Sequence, residues 1–457
     1  MKKYITAFIL PLSPIIYSFI IVLFHILKVV VPYKLWKSLS RRLASLWYNA
    51  VVYHLMVNCE MRMKISYSFP NFWIERLSIN SNKIDIINSL SFPYSIKNEK
   101  EEKTKNESKN NINTEILLYC EKQLKNRKIN KVEKHIEFSI SNKEKKYHLK
   151  YSDDLEKNII GTIENILEKE SCLFICNHLS LADWLFFWLL AYKYNRLKDI
   201  TIAMKSEMRK IWGIGWAVEW LEYCFLYRIN TTQDLKNLRY HIIKEQQENK
   251  DSMFFFLFPE GTDFREYKYN EQKQKFPDII KTWNLKNVLI PRSRGFKTCL
   301  ETLFLLKRKV YVFDLTIYYG KTICDENRPT FWSSWFGIYP KEIFLDISPF
   351  LITKEEILNY ELFKSKLLKC FSEKNNYLEN NLKKRNNYVK LFPLLSSLKP
   401  SLKIYFFSLF WVIFNIIGIF FIIINFYMKI IVLFSCFCLI IFSLNQKIKK
   451  ILKYEIV

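Results

Sequence analysis

The chain has 457 residues, of which 50% are hydrophobic and 17% aromatic, and a formal net charge of +26. That length exceeds one average domain and allows a large core. The charge calls for an anionic partner, while the aromatic and apolar content argues against a plain nucleic-acid binder and for a membrane surface.

Residues 4–32 are almost uninterrupted apolar, long enough to cross a bilayer and without a small-residue cleavage site. They are expected to form a transmembrane anchor spanning 1–33. Only Lys2 and Lys3 precede the run, whereas Lys28, Lys34, Lys37, Arg41 and Arg42 lie at or beyond its far end. The positive-inside rule therefore places the chain beyond the anchor in the cytosol. Residues 34–74 begin with Trp36, Leu39, Leu43, Trp47, Val51 and Leu55 set between basic residues, the pattern of an amphipathic helix on a membrane face. Residues 75–159 form a Lys/Asn-rich insertion expected to be partly disordered, since Lys97–Lys150 contains neither Gly nor Pro and is dominated by Lys, Asn, Glu and Ile.

Within an expected catalytic domain of 160–385, the hydrophobic period alternates from 160 to 350. Strands are predicted at 172–176, 200–204, 224–228, 253–258, 288–290 and 310–318, and helices at 181–194, 206–220, 231–248, 293–308 and 354–379. This alternation predicts an α/β domain, a mostly parallel sheet flanked by helices. The last apolar run, 404–444, suits two crossings with basic flanks, so 386–457 is expected to be a transmembrane hairpin with a basic tail.

The ten cysteines include no C-x-x-C pair, so no zinc site is indicated and nothing requires an oxidising compartment. Seven of the 8 glycines lie between Gly161 and Gly337. Backbone positions that need unusual dihedrals or a close ligand are thus concentrated in the predicted domain.

Four stretches there carry chemistry. In Asn177-His178-Leu179-Ser180-Leu181-Ala182-Asp183, at a strand-to-helix turn, Asp183 can fold back and hold the imidazole of His178 in one tautomer. The competing reading is a capping box with Ser180 as N-cap. Arg228 ends a predicted strand. Glu260-Gly261-Thr262 comes after another, where an ordinary turn is the rival. Arg292 and Arg294 flank a helix start, where cations are electrostatically disfavoured unless an anion binds. All four stretches sit at strand ends, where open α/β sheets bind ligands. Read together, His178 is a general base and Asp183 its orienter. Arg228, Arg292, Arg294 and Lys205 hold a phosphate. No G-x-S-x-G serine is present, so an acceptor alcohol is expected to attack the acyl donor directly.

These stretches resemble the membrane-bound glycerolipid acyltransferases. Asn177, His178 and Asp183 match that family's first motif, Phe225 and Arg228 its second, and Phe258-Pro259-Glu260-Gly261-Thr262 its third. Ile290 to Phe296 and Asp314 to Tyr318 look like the branch holding lysocardiolipin acyltransferase and its lysophosphatidic acid-acting relatives. The resemblance covers about 170–320. It implies acyl transfer from acyl-CoA, a co-substrate, to a lysophospholipid hydroxyl, with no cofactor and no metal. The favoured acceptor is lysophosphatidic acid; lysocardiolipin, lysophosphatidylinositol and a non-catalytic lipid-binding role are the alternatives. His178 and Asp183 are the catalytic pair. Asn177, Lys205, Arg228, Glu260, Gly261, Thr262, Arg292 and Arg294 are the substrate-binding set. Membrane lipids are expected partners, nucleic acid is not, and the endoplasmic reticulum is the membrane expected by analogy. The chain departs from the pattern at Asp263, where many relatives carry Arg, and an acid there is expected to repel a bare phosphomonoester.

Overall fold

A computed structural model describes residues 31–68, 91–92, 153–210, 215, 218–219, 221–228, 231–248, 253–306, 308–319, 328–383 and 396–397, with single positions between 402 and 437. Most of the apolar runs 4–32 and 404–444 and most of the 75–159 insertion lie outside the described residues. No helix among the described residues is long and apolar enough to cross a membrane.

In chain order the elements are α1 (Tyr33–Tyr53), a π-helical turn (His54–Asn58), β1 (Arg62–Tyr67), β2 (Ser91–Phe92), α2 (Asp153–Lys169), β3 (Cys172–Cys176), α3 (Asp183–Lys193), β4 (Ile200–Ile202) and β5 (Met204–Lys205). Next come a 3-10 turn (Ser206–Lys210), β6 (Phe225–Leu226), α4 (Thr231–Glu248), β7 (Phe254–Leu257), α5 (Glu266–Lys275), α6 (Pro277–Trp283), α7 (Ser293–Leu305) and β8 (Val310–Tyr319). The series closes with α8 (Phe331–Trp335), β9 (Glu342–Pro349), α9 (Lys354–Leu358), α10 (Tyr360–Lys383) and β10 (Ser396–Ser397).

The main sheet runs β10-β1-β9-β8-β3-β7-β4, with β2 beside β8, and β5 pairs β6 separately. β8, β3, β7 and β4 are mutually parallel, β1 is parallel to β9, and β8 and β9 are antiparallel. All five residues of β3 are buried, because helices cover both faces and leave no polar side. Cys172, Phe174 and Cys176 face a layer built with α1, α2 and α3, while Leu173 and Ile175 face one built with α4, α7 and α10. Helix α3 is apolar all round and Trp184 to Ala191 are all buried, since it lies between the sheet and α1.

The stripe expected on a membrane face is mostly core. Trp36, Trp47, Val51 and Leu55 are buried, and Leu39 is exposed. Trp47 and Tyr48 pack on Trp188 of α3, with ring centroids 5.6 and 4.7 Å away. Two of the basic residues read as membrane-flanking are also internal. Lys37 and Arg41 meet the buried Glu245 of α4 at 2.9 and 2.6 Å. Strand β1, with Met63, Ile65 and Tyr67 turned inward, then pairs with β9. Residues 33–67 are therefore part of the same fold as the predicted catalytic domain, and so is α2, which begins inside the expected insertion.

Other differences have local causes. The expected strand at 288–290 is a loop, because side chains take its backbone donors: Leu289 N donates to Glu260 (2.9 Å), Ile290 N to Gln272 (2.8 Å), and Lys286 N and Asn287 N to Asn375 (2.9 and 2.8 Å). The expected helix 354–379 breaks at Asn359, which is extended and accepts the N–H groups of Glu361 and Leu362 at 3.1 and 3.3 Å. Of the expected helix 206–220, the described part is the 3-10 turn and helical positions at 215, 218 and 219.

Beside the Lys37–Arg41–Glu245 cluster, His241 of α4 is buried, and burial lowers its imidazole to about 4, with Glu245 pulling up and Lys37 and Arg41 pushing down. A depressed histidine is neutral in the fold and charges first in the unfolded chain. Its contribution is present above pH 6.5 and lost as pH falls towards 4, about 3 kcal/mol in all. His241→Leu is expected to lower the loss of Tm between pH 6.5 and 4, measured by circular dichroism. A parallel fall in both proteins would refute the assignment.

Candidate active site

The turn after β3 is built around one carboxylate. Asp183, in the first turn of α3, is fully buried. Its Oδ2 accepts from His178 Nδ1 (2.9 Å), Leu179 N (2.8 Å) and Ser180 N (3.0 Å), and Tyr319 O–H donates to its Oδ1. Four donors on one side chain suit an ionised carboxylate. Both readings of the octapeptide therefore meet in one side chain, which caps the turn and holds the imidazole. With Nδ1–H given to Asp183, Nε2 is the ring nitrogen left to accept a proton. The ring stacks on Phe258, centroids 4.1 Å apart, and the backbone of His178 is held at both ends. Its N–H donates to Glu260 Oε1 (2.8 Å), and its C=O accepts from Phe264 N (2.6 Å).

His178 opens onto a cavity of about 840 Å³. One part of its wall is apolar, formed by Leu181, Trp184, Met208, Phe258, Phe331 and Trp332. Another carries Lys205, Arg228, Arg292, Arg294 and Lys364. The acid among the described lining residues, Asp234, is committed elsewhere: its oxygens accept Tyr227 N and Arg228 N, each at 2.7 Å. Those bonds hold Arg228 at φ 64°, left-handed for a side-chain-bearing residue, a strain of about 1–3 kcal/mol of the kind found at ligand sites. Burial and the neighbouring Arg292 lower the Arg228 guanidinium, and burial and Arg228 lower the Lys205 ammonium. The cations thus crowd one another, and the exposed Glu207 and the paired Asp234 and Asp263 offset that crowding only in part.

Gly261 sits at φ 74°, and a Cβ there would lie 3.1 Å from Nε of Arg292. The glycine lets that guanidinium lie against the turn. Helix α7 starts at Ser293 with Arg292 as an extended N-cap that makes no capping bond. Its first N–H groups therefore add to the positive field of the cavity.

Three expected substrate contacts do not line this cavity. Asn177 is fully buried, and its amide is spent on β8: Nδ2 donates to Ile317 O (3.0 Å) and Oδ1 accepts Ile317 N (2.8 Å). Glu260 is also buried, and its two oxygens accept His178 N and Leu289 N, so it ties the His178 turn to the loop before Arg292. Burial raises this carboxyl to about 8, against the pull of the two N–H groups. Thr262 bonds to Asp263 and Lys268 instead. The expected repulsion by Asp263 is also removed. This residue is buried and pairs with Arg265 (2.6 Å) and Lys268 (2.9 Å). Although burial pushes its carboxyl up, these two cations hold it well below the usual carboxylate range.

Sequence reasoning missed Lys364 and Tyr360 on α10, the aromatic wall of α8, and Tyr319. Helix α10 was legible as a helix, but nothing in its pattern marks which turn reaches a cavity built far earlier in the chain. Tyr319 lies one residue past the predicted strand, in phase with the inward Ile317.

Residues 158–300 match the Acyltransferase family model, and this segment is an acyltransferase domain. Among curated proteins the chain is 35% identical over 186 residues to a probable 1-acyl-sn-glycerol-3-phosphate acyltransferase 5 of Arabidopsis thaliana, covering 41% of this chain and 47% of that one. It is 25% identical over 194 residues to lysocardiolipin acyltransferase 1 of Danio rerio, covering 42% and 48%. The chain spans about half the length of the curated relatives it matches. The crystal structure of a 1-acyl-sn-glycerophosphate acyltransferase from Thermotoga maritima is similar at a TM-score of 0.27 and 17% identity, covering 57% of this chain and 90% of that one, a likeness too slight to bear on function.

Proposed function

We propose that this chain transfers an acyl group from acyl-CoA to the free hydroxyl of a lysophospholipid, with lysophosphatidic acid as acceptor and phosphatidic acid as product. One observation carries the reading: an imidazole held by a buried carboxylate lines the same cavity as five cationic side chains and an apolar wall. The acceptor hydroxyl gives its proton to Nε2 of His178 while its oxygen adds to the thioester carbonyl. A C–O bond forms, the C–S bond then breaks, and the leaving thiolate takes the proton from the imidazolium. Asp183 stabilises that imidazolium and fixes the tautomer. Lys205, Arg228, Arg292 and Arg294, with the N-terminus of α7, hold the phosphate. The apolar wall takes the acyl chain. No cofactor enters this step.

The cation count favours a second acceptor class. Five cations exceed what one phosphate dianion requires, which suits a headgroup with two separated phosphates such as lysocardiolipin; lysophosphatidylinositol, with a single phosphodiester charge, is the further alternative. A panel separates these acceptors: one labelled acyl-CoA tested against lysophosphatidic acid, lysophosphatidylinositol, lysocardiolipin and glycerol 3-phosphate. Phosphatidic acid as main product is the expected result. Binding of lysophospholipid without acylation of any acceptor would leave a non-catalytic lipid-binding role.

Arg228→Ala and Arg292→Ala are each expected to raise KM for the phosphorylated acceptor by about 10- to 100-fold, the scale of hydrogen bonds to a charged group, with kcat less affected. An unchanged KM in both would remove the phosphate assignment. The runs 4–32 and 404–444 are read as membrane segments of an endoplasmic reticulum protein whose catalytic domain faces the cytosol. Digestion of that domain by protease added to intact microsomes is the expected result, and full protection would reverse the orientation.

A further inference from the structure

We infer that Tyr319 is the third member of the His178–Asp183 unit, a positioning residue that fixes the carboxylate through the oxygen His178 does not use. The inference rests on the reading of His178 as general base. Oδ2 of Asp183 already serves three donors, and Oδ1 accepts the Tyr319 hydroxyl. Both side chains are buried. Without that hydroxyl a buried carboxylate oxygen loses its donor, and the carboxylate keeps its charge but is free to turn about its last torsion. That turn spoils the aim of Nε2 at the acceptor hydroxyl.

The chain places Tyr319 there by a second device. β3 and β8 pair in parallel as far as Cys176 and Leu315. One residue on, the Asn177 side chain takes over, bonding both the N–H and the C=O of Ile317. That amide extends the ladder past the point where the His178 turn leaves it. Tyr319, two residues beyond Ile317 on the same side of β8, is thereby held over Asp183. The motif asparagine thus works through Tyr319 and not through substrate. Burial and the Asp183 anion both raise the Tyr319 phenol well above its ordinary value, so it acts only as a donor. The other titratable groups around the pair are Cys176, Glu260 and Tyr339, with Asp314 and Lys374 beyond, and none is altered by the substitutions below.

Tyr319→Phe removes one oxygen and keeps the ring packed on Phe186, centroids 5.6 Å apart. It is expected to lower kcat by about 10- to 100-fold with KM for both substrates unchanged. The carboxylate, short of one donor, becomes more basic and raises the imidazolium pKa, so the acidic limb of kcat/KM moves to higher pH. A fluorinated tyrosine at 319 keeps the shape with a more acidic O–H, and should move the limb to lower pH. It serves as the test should the phenylalanine variant fail to fold. In a His178→Ala background, Tyr319→Phe should leave the residual rate unchanged, because a residue acting through the imidazole has nothing left to act on. A purely structural role gives instead a multiplicative loss and an unmoved limb, and either result overturns the inference. The parent reading fails separately, through full activity in His178→Ala alone.

Discussion

Replacing His178 with alanine is expected to lower acyl transfer by about 10²- to 10⁴-fold, the scale on which a positioned general base acts. The hydroxyl of a lysophospholipid has a pKa far above neutrality and cannot attack a thioester at a useful rate until its proton has somewhere to go. In the proposed mechanism that destination is Nε2, since Nδ1 is engaged by Asp183 at 2.9 Å. The fold is not expected to suffer, because what ties His178 to its neighbours is mainly its backbone, through Glu260 and Phe264. The assay is product formation in membranes matched for protein level. A rate within a few-fold of wild type would assign the base elsewhere.

Asp183→Asn is expected to cost about 10³-fold in kcat. A carboxylate about 4 Å from a forming imidazolium contributes about 4 kcal/mol at an effective dielectric constant of 20, and asparagine lacks that charge. The substitution keeps the shape. Its amide oxygen can still accept from His178, Leu179 and Ser180, and its NH₂ can donate to the Tyr319 hydroxyl, so Tm should fall only modestly. Loss of the anion lowers the imidazole pKa, and the acidic limb of kcat/KM moves to lower pH, opposite to the Tyr319→Phe shift. Opposed shifts from two changes at one carboxylate are hard to obtain from general damage. A limb that stays in place in the asparagine variant would mean that Asp183 only caps its helix.

The His178–Asp183 turn was legible because its determinants are local. His178 and Asp183 lie five residues apart, between a strand and a helix whose apolar runs are plain in the sequence. Four of the five cations were legible by type: Lys205 and Arg228 by their places near strand ends, and Arg292 and Arg294 by flanking a helix start. What was not legible depends on partners far along the chain. Asn177 reads as a polar site residue until Ile317, 140 positions later, takes both ends of its amide. Asp263 reads as repulsive until Arg265 and Lys268 fold onto it. The stripe on α1 reads as a membrane face because an apolar face looks the same whether lipid or Trp188 covers it. The loop at 288–290 has the composition of a buried strand, and only the carboxylate of Glu260 and the amides of Asn375 and Gln272 explain why it pairs with no neighbour. Periodicity reports that a residue is buried. It does not report what satisfies the backbone there.

The most direct test tracks the CoA thiol. Purified wild-type protein in lipid nanodiscs is mixed with acyl-CoA, with and without lysophosphatidic acid, and His178→Ala is treated in parallel. Transfer by a base acting on the acceptor predicts one thiol released per phosphatidic acid formed, release only when acceptor is present, and little release from the variant. Thiol released at the wild-type rate by His178→Ala, or a stoichiometric burst of thiol from acyl-CoA alone, would contradict it.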